Sequence, residues 1–161
     1  MVLLSIAACK EDNKPESAAQ STSNSKNVTE ALKGTPATDI SDVFQFRQEQ
    51  FIPDSNNVFQ LKSLNAFNTY IQGSADASDL DFGENDVIAL FYKRTDKEVN
   101  FKVERFDNSG EDTRIVVSTI TTENPVKAYR PSFLLKIPKK DVKGRLEVRL
   151  DGEIAQLTGA E

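Results

Sequence analysis

Val87-Ile88-Ala89-Leu90-Phe91-Tyr92 is the longest unbroken apolar run beyond residue 9, and its reading decides the fold. Six residues are too few for an ordinary helix, and the apolar side chains fall on both alternating faces. The pattern predicts a β-strand covered from both sides. Outward toward the C-terminus, Val99, Phe101 and Val103 alternate with Asn100, Lys102 and Glu104, which predicts a strand with one face in a core and one in water. Residues 93–97 read as the loop between these two strands, and Asp107-Asn108-Ser109-Gly110 marks the next turn. Residues 114–122 form another strand, with Ile115, Val117 and Thr119 on one face and Val116, Ser118 and Ile120 on the other. Pro125 is expected to end it, and residues 123–131 are expected to loop toward Phe133-Leu134-Leu135-Lys136-Ile137, which stops at Pro138. Leu146, Val148 and Leu150 then alternate with Glu147 and Arg149, and Asp151-Gly152 predicts a type I′ hairpin turn with Ile154 and Leu157 beyond it.

On the N-terminal side, Val43-Phe44-Gln45-Phe46 and Val58-Phe59-Gln60-Leu61 read as strands on either side of the turn cluster Pro53-Asp54-Ser55-Asn56-Asn57. Ser63 is placed to cap a short helix near residues 64–72, with Leu64, Phe67, Tyr70 and Ile71 on one face and Gly73 as the C′ residue. Residues 74–86 form an acidic connector. Its spacing fails the calcium-loop pattern, since counting from Asp79 puts Gly83 at the fifth position and Leu90 where a bidentate Glu is needed. Seven or eight strands, one helix and short polar turns, with no helices long enough for parallel crossovers, predict a mainly β domain. The architecture is an antiparallel β-sandwich or partly open barrel.

Composition excludes several functions. The chain has 161 residues, a net charge of -5, no His, no Trp and one Cys. Residues 1–38 balance Lys10, Lys14, Lys26 and Lys33 against Glu11, Asp12, Glu16 and Glu30, so the acidic excess belongs to the later part. An acidic domain is repelled by phosphate backbones, which argues against nucleic acid. Without His or a second Cys, the common general bases, nucleophile pairs and metal ligands are missing. A non-catalytic protein with no metal and no cofactor is the expectation.

The first 38 residues read as an address and a spacer. Ile6-Ala7-Ala8-Cys9 resembles the lipobox of a bacterial lipoprotein: an aliphatic residue, two small residues beside the cleavage point, and a cysteine whose thiol takes a diacylglyceryl group. The resemblance implies a signal peptide over 1–8, truncated because it has no basic n-region and only a short apolar run, and a membrane anchor through lipidated Cys9. Lys10-Glu11-Asp12 resembles the export signal of Bacteroidetes-type surface lipoproteins, which implies a place on the outer membrane facing outward; a periplasmic-facing tether is the alternative. Residues 9–38 are polar, rich in Ser, Asn, Ala, Thr and Lys, and without apolar periodicity, so they predict a disordered tether of about 30 Å r.m.s. reach. The folded domain spans 40–161.

For such a domain, a protein-binding role ranks first. Tyr129 and Arg130 are residue types enriched at interface hot spots. They precede a proline-bounded strand carrying Phe133 and Lys136, whose edge is a candidate for pairing with an extended partner segment. Lys136, Lys139, Lys140, Lys143 and Arg145 form a basic cluster, read first as a solvated rim. A glycan- or small-ligand-binding surface lipoprotein is the alternative, weakened by the absence of Trp and only three Tyr.

From about Val58 onward the order of parts resembles the C-terminal domain of the PrcB family of protease-complex subunits. The residues that carry this are the helix near 63–72, Asp81-Phe82, the apolar strand at 87–91, the two strands after it, and Pro131-Ser132-Phe133-Leu134-Leu135-Lys136-Ile137-Pro138-Lys139. The resemblance implies an accessory role that supports a surface protease or secreted partner, and it brings no catalytic residues.

Overall fold

The computed structural model describes residues 34–47, 55–73, 77–155 and 157–160. The expected signal peptide at 1–8, Cys9, Lys10, Glu11, Asp12, most of the expected tether and the first part of the 53–57 turn lie outside the described residues. In chain order the elements are β1 (Thr38–Asp39), β2 (Phe44–Phe46), β3 (Asn57–Leu61), helix α1 (Leu64–Tyr70), β4 (Ile71–Gly73), a 3₁₀ turn (Ala77–Leu80), β5 (Asn85–Phe91), β6 (Thr95–Asp107), β7 (Thr113–Tyr129), β8 (Ser132–Pro138), a second 3₁₀ turn (Lys139–Asp141), β9 (Leu146–Leu150), β10 (Glu153–Ala155) and β11 (Leu157–Ala160).

The stretch around the apolar run is one long antiparallel ribbon folded over on itself. β5 pairs with β8 from Asn85 opposite Pro138 to Phe91 opposite Ser132. The same two chains run on as β6 and β7, from Thr95 opposite Tyr129 to Asp107 opposite Arg114. Between these halves the ribbon bends at residues 92–94 and 130–131. Its halves thereby fall into two different sheets: a five-stranded one in the order β1-β8-β5-β3-β11 and a four-stranded one in the order β10-β9-β7-β6.

Two cores follow from this arrangement, one on each face of the five-stranded sheet. Between the sheets, Ile88 and Leu90 of β5 meet Phe101, Val103, Ile115, Val117, Val148 and Leu150. On the other face, Val87, Ala89 and Phe91 pack with Phe67 of α1 and with Phe44 and Ile71 of the small β2–β4 ribbon. The apolar run is therefore buried on both faces, as its unbroken hydrophobicity predicts. Among the described residues the protein is mainly β, with one α-helix and no closed barrel.

Details depart from the sequence reading for identifiable reasons. Among the described residues two strand pairs are parallel, β3 with β11 and β7 with β9. A parallel pair needs a crossover, and after β7 that role is taken by β8, a strand of the other sheet, rather than by a helix. Residues 95–97 and 123–129 belong to β6 and β7 rather than to loops. Pro125 is tolerated because β9 accompanies β7 only as far as Val117, and the register slips on either side of the Lys97–Pro125 pair. A residue without an N–H is accommodated at such an irregular, one-sided stretch.

Ser63 caps α1 as expected, its hydroxyl accepting the Ala66 N–H at 3.0 Å. The helix ends at Tyr70, however, because Ile71 and Gly73 pair with Phe46 and Phe44. Gly73 is thus a strand residue, and Ala66 and Phe67 face the core while Leu64 is 40% exposed. At the C-terminal hairpin, Asp151 and Gly152 take φ values of 52° and 89°, the left-handed pair that a type I′ turn requires. At the tip of the long ribbon, the Asp107 carboxylate accepts from the Ser109 hydroxyl and N–H and from Arg105, and these bonds hold its pKa down at about 2.

Candidate functional site

The four residues singled out for partner contact sit around the bend of the ribbon, and the structure assigns them different work. The Tyr129 hydroxyl accepts the buried Val99 N–H at 2.9 Å, across a stretch where the β6–β7 register slips. Burial pushes the phenol's pKa up. Arg130 donates to the Ser55 carbonyl at 3.3 Å. Next to it the Lys93 N–H donates to the Asn56 side chain at 2.8 Å, and the Tyr92 N–H to the Pro131 carbonyl at 2.8 Å. Tyr129 therefore ties the bend to β6, and Arg130 pins it to the chain that enters β3. Phe133 is 2% exposed and stacks on Phe101 with ring centroids 5.8 Å apart, so its ring is a core element and is not presented to a partner. Lys136 is half-buried on β8, opposite Val87 on one side and Thr38 on the other.

The strand edge at β8 is also not open. β1 lies outside it, with Thr38 opposite Lys136 and Asp39 opposite Leu135. The Ile40 N–H donates to the Leu134 carbonyl at 3.0 Å, and the Leu134 N–H donates to the Ser41 hydroxyl at 2.9 Å. That hydroxyl donates in turn to the Asp39 carboxylate at 2.6 Å, which also accepts the Ser41 N–H at 2.9 Å. Burial pushes the Asp39 carboxyl above the usual carboxylate range, against the opposing effect of these bonds. Ala37 joins the core between the sheets and Ile40 the core under the helix. Residues 37–39 thus add an edge to the sheet although their composition reads as the end of a tether. The Asp-x-Ser spacing, typical of a self-bonded turn, is the one local signal for this.

Several of the surface charges are paired. Lys139, from the basic cluster, donates to the Phe82 carbonyl at 2.6 Å and lies 3.7 Å from Asp86. Asp86 is 6% exposed and accepts from Gln60 at 2.7 Å. Arg145 lies 3.7 Å from Asp112, and Glu147 takes both Arg114 and Arg149. In the acidic connector, Asp81 accepts the Gly83 N–H at 3.2 Å and Asn85 donates to the Leu80 carbonyl at 3.0 Å, so the turn is bonded to itself. Among the described residues no three or more Asp, Glu, Cys or His side chains converge, and no helix is long and apolar enough to cross a membrane.

An open cleft of about 230 Å³ lies between β3 and the β9–β10 hairpin, lined by Asn56, Val58, Leu150, Glu153, Ile154 and Ala155. Ile154 at its rim is 62% exposed. Comparison of the chain with family models, curated proteins and solved structures finds no match.

Proposed function

We propose that this chain is a non-catalytic, lipid-anchored outer-membrane protein whose β-rich domain binds a protein partner. The lipobox-like Ile6-Ala7-Ala8-Cys9 and the following Lys10-Glu11-Asp12 support the anchor and an outward-facing position. The resemblance to PrcB-type subunits makes a surface protease or secreted protein the favoured partner, with the domain acting as an accessory. One observation carries the binding reading. β8, the proline-bounded apolar strand, lies one position from the sheet edge, and among the described residues only β1 and the Ile40 and Ser41 bonds to Leu134 cover its outer side. Its main-chain hydrogen-bonding groups are thus thinly covered, and sheet edges are where extended partner segments dock.

The test has two parts. Labelling with a radioactive fatty acid should mark the wild-type protein and be lost in Cys9→Ser. A pull-down from detergent-solubilised membranes with the tagged, lipidated protein should recover one stoichiometric protein partner, and recovery of background alone would remove the accessory role.

A second reading, binding of a glycan fragment or small ligand, draws on the cleft between β3 and β10, where Asn56 and Glu153 offer polar groups beside Val58 and Ile154. Saturation-transfer NMR with oligosaccharide mixtures would support it if Ile154→Asp abolished the signal.

A further inference from the structure

Among the described residues, β1 has the shortest pairing of any strand in the five-stranded sheet. β5 and β8 share seven facing pairs, whereas β1 and β8 share two. Beyond Asp39 the ladder continues for one bond, from the Ile40 N–H to the Leu134 carbonyl. The Leu134 N–H then meets a side-chain hydroxyl, Ser41, in place of a backbone carbonyl. The chain turns away at once, the Val43 N–H bonding back to Ile40 at 3.3 Å.

Two apolar side chains anchor the segment, one on each face of the sheet: Ala37 toward the four-stranded sheet and Ile40 toward α1. The hydroxyl that completes the edge depends on Asp39, a carboxylate that burial disfavours in its charged form. The seven-pair ladder between β8 and β5 uses none of residues 37–41.

We propose that residues 37–41 are a displaceable strap, and that an extended segment of a protein partner takes their place on β8. This inference rests on the protein-binding reading above. The strap itself defines the chemistry of the guest. The guest is a short extended peptide running antiparallel to β8, with a small side chain at the Ala37 seat and an aliphatic one three residues later at the Ile40 seat. A hydroxyl after the aliphatic residue takes the Leu134 N–H. A closed strap lowers the apparent affinity for such a guest by the fraction of molecules in which the seat is free. Loosening the strap therefore tightens guest binding.

Full-length protein and a fluorescent peptide copying residues 35–42, Thr-Pro-Ala-Thr-Asp-Ile-Ser-Asp, provide the test. The Ile40 and Leu134 amides are expected to exchange hydrogen about 100-fold faster than those of Val87 and Leu90, because the strap opens without global unfolding. Ile40→Ala empties the aliphatic seat and should bind the peptide about tenfold tighter than wild type. A control peptide with Asp in place of Ile should not bind. Ser41→Ala loosens the strap without touching the core and serves if Ile40→Ala does not fold.

Equal exchange at all four amides would overturn the strap, as would peptide binding that neither variant improves. A membrane partner recovered equally by wild type and both variants would leave the accessory reading standing and remove the strap. A strap that passes both tests in a protein that recovers no partner would remove the accessory reading alone.

Discussion

Tyr129→Phe separates a structural tyrosine from an interface tyrosine. The hydroxyl accepts the N–H of Val99, a residue 3% exposed, at 2.9 Å. Phenylalanine keeps the ring and its packing but offers no acceptor, so the N–H is left without that partner. An unsatisfied buried donor costs about 1–3 kcal/mol; because Tyr129 is itself only half-buried, water reaches part of the site and the lower end, about 1–1.5 kcal/mol, applies. For a domain of this size that lowers the midpoint of a calorimetric melt by roughly 3–6 °C.

The loss should come with faster exchange at the Val99 amide and with unchanged partner capture, since the hydroxyl is committed to β6. The pH dependence gives a second check. Burial raises the phenol's pKa above 10.0 in the folded state, so its contribution is present below pH 10 and is lost as pH rises through the folded pKa. The gap between wild type and Tyr129→Phe should therefore narrow above pH 10. A variant that melts with wild type, keeps Val99 protected and loses its partner would refute the reasoning and restore Tyr129 to an interface.

Three further outcomes are expected. Phe133→Ala removes a ring stacked in the core between the sheets and should cost about 3–5 kcal/mol in urea unfolding, whereas Lys136→Ala should stay within about 0.5 kcal/mol; the reverse order would place the ring at the surface. Gly144 has a φ of +51°, and a Cβ there would overlap the Glu111 carbonyl and the Asp112 carboxylate. Gly144→Ala should thus cost about 2 kcal/mol, while Gly110→Ala, with open space around it, should change stability by only a few tenths. Asp39 has a folded-state pKa raised above 3.8 by burial, so its contribution is greatest below pH 3.8 and is lost as pH rises through the folded pKa. Asp39→Asn should therefore be as stable as wild type or more so at pH 7, with the difference closing toward pH 4; a deficit at pH 7 would show that the bonds from Ser41 outweigh burial.

Much of the fold was legible because it depends on neighbours in the chain. An apolar run with no polar face leaves no side for water, so the double burial of 87–91 is written locally. The same holds for the alternation of Val99, Phe101 and Val103, the Ser63 cap and the Asp151-Gly152 turn, each of which requires only its own few residues. The candidate site was less legible. Tyr129 was visible as a large amphipathic residue before a strand, but its bond to Val99 spans thirty residues. Phe133 sits in a proline-bounded run whose faces cannot be told apart until both sheets are placed.

What the sequence determined by itself is a mainly β domain following a polar stretch, with its strongest strand at residues 87–91. Tertiary structure decided which strands pair in parallel, where α1 yields to β4, and that residues 37–41 close the β8 edge. The physical reason is the range of the interactions. Periodicity, capping and turn geometry act within a few residues. Strand order, the fate of an edge and the partner of a buried N–H depend on segments that meet only when the long ribbon bends and its two halves enter different sheets.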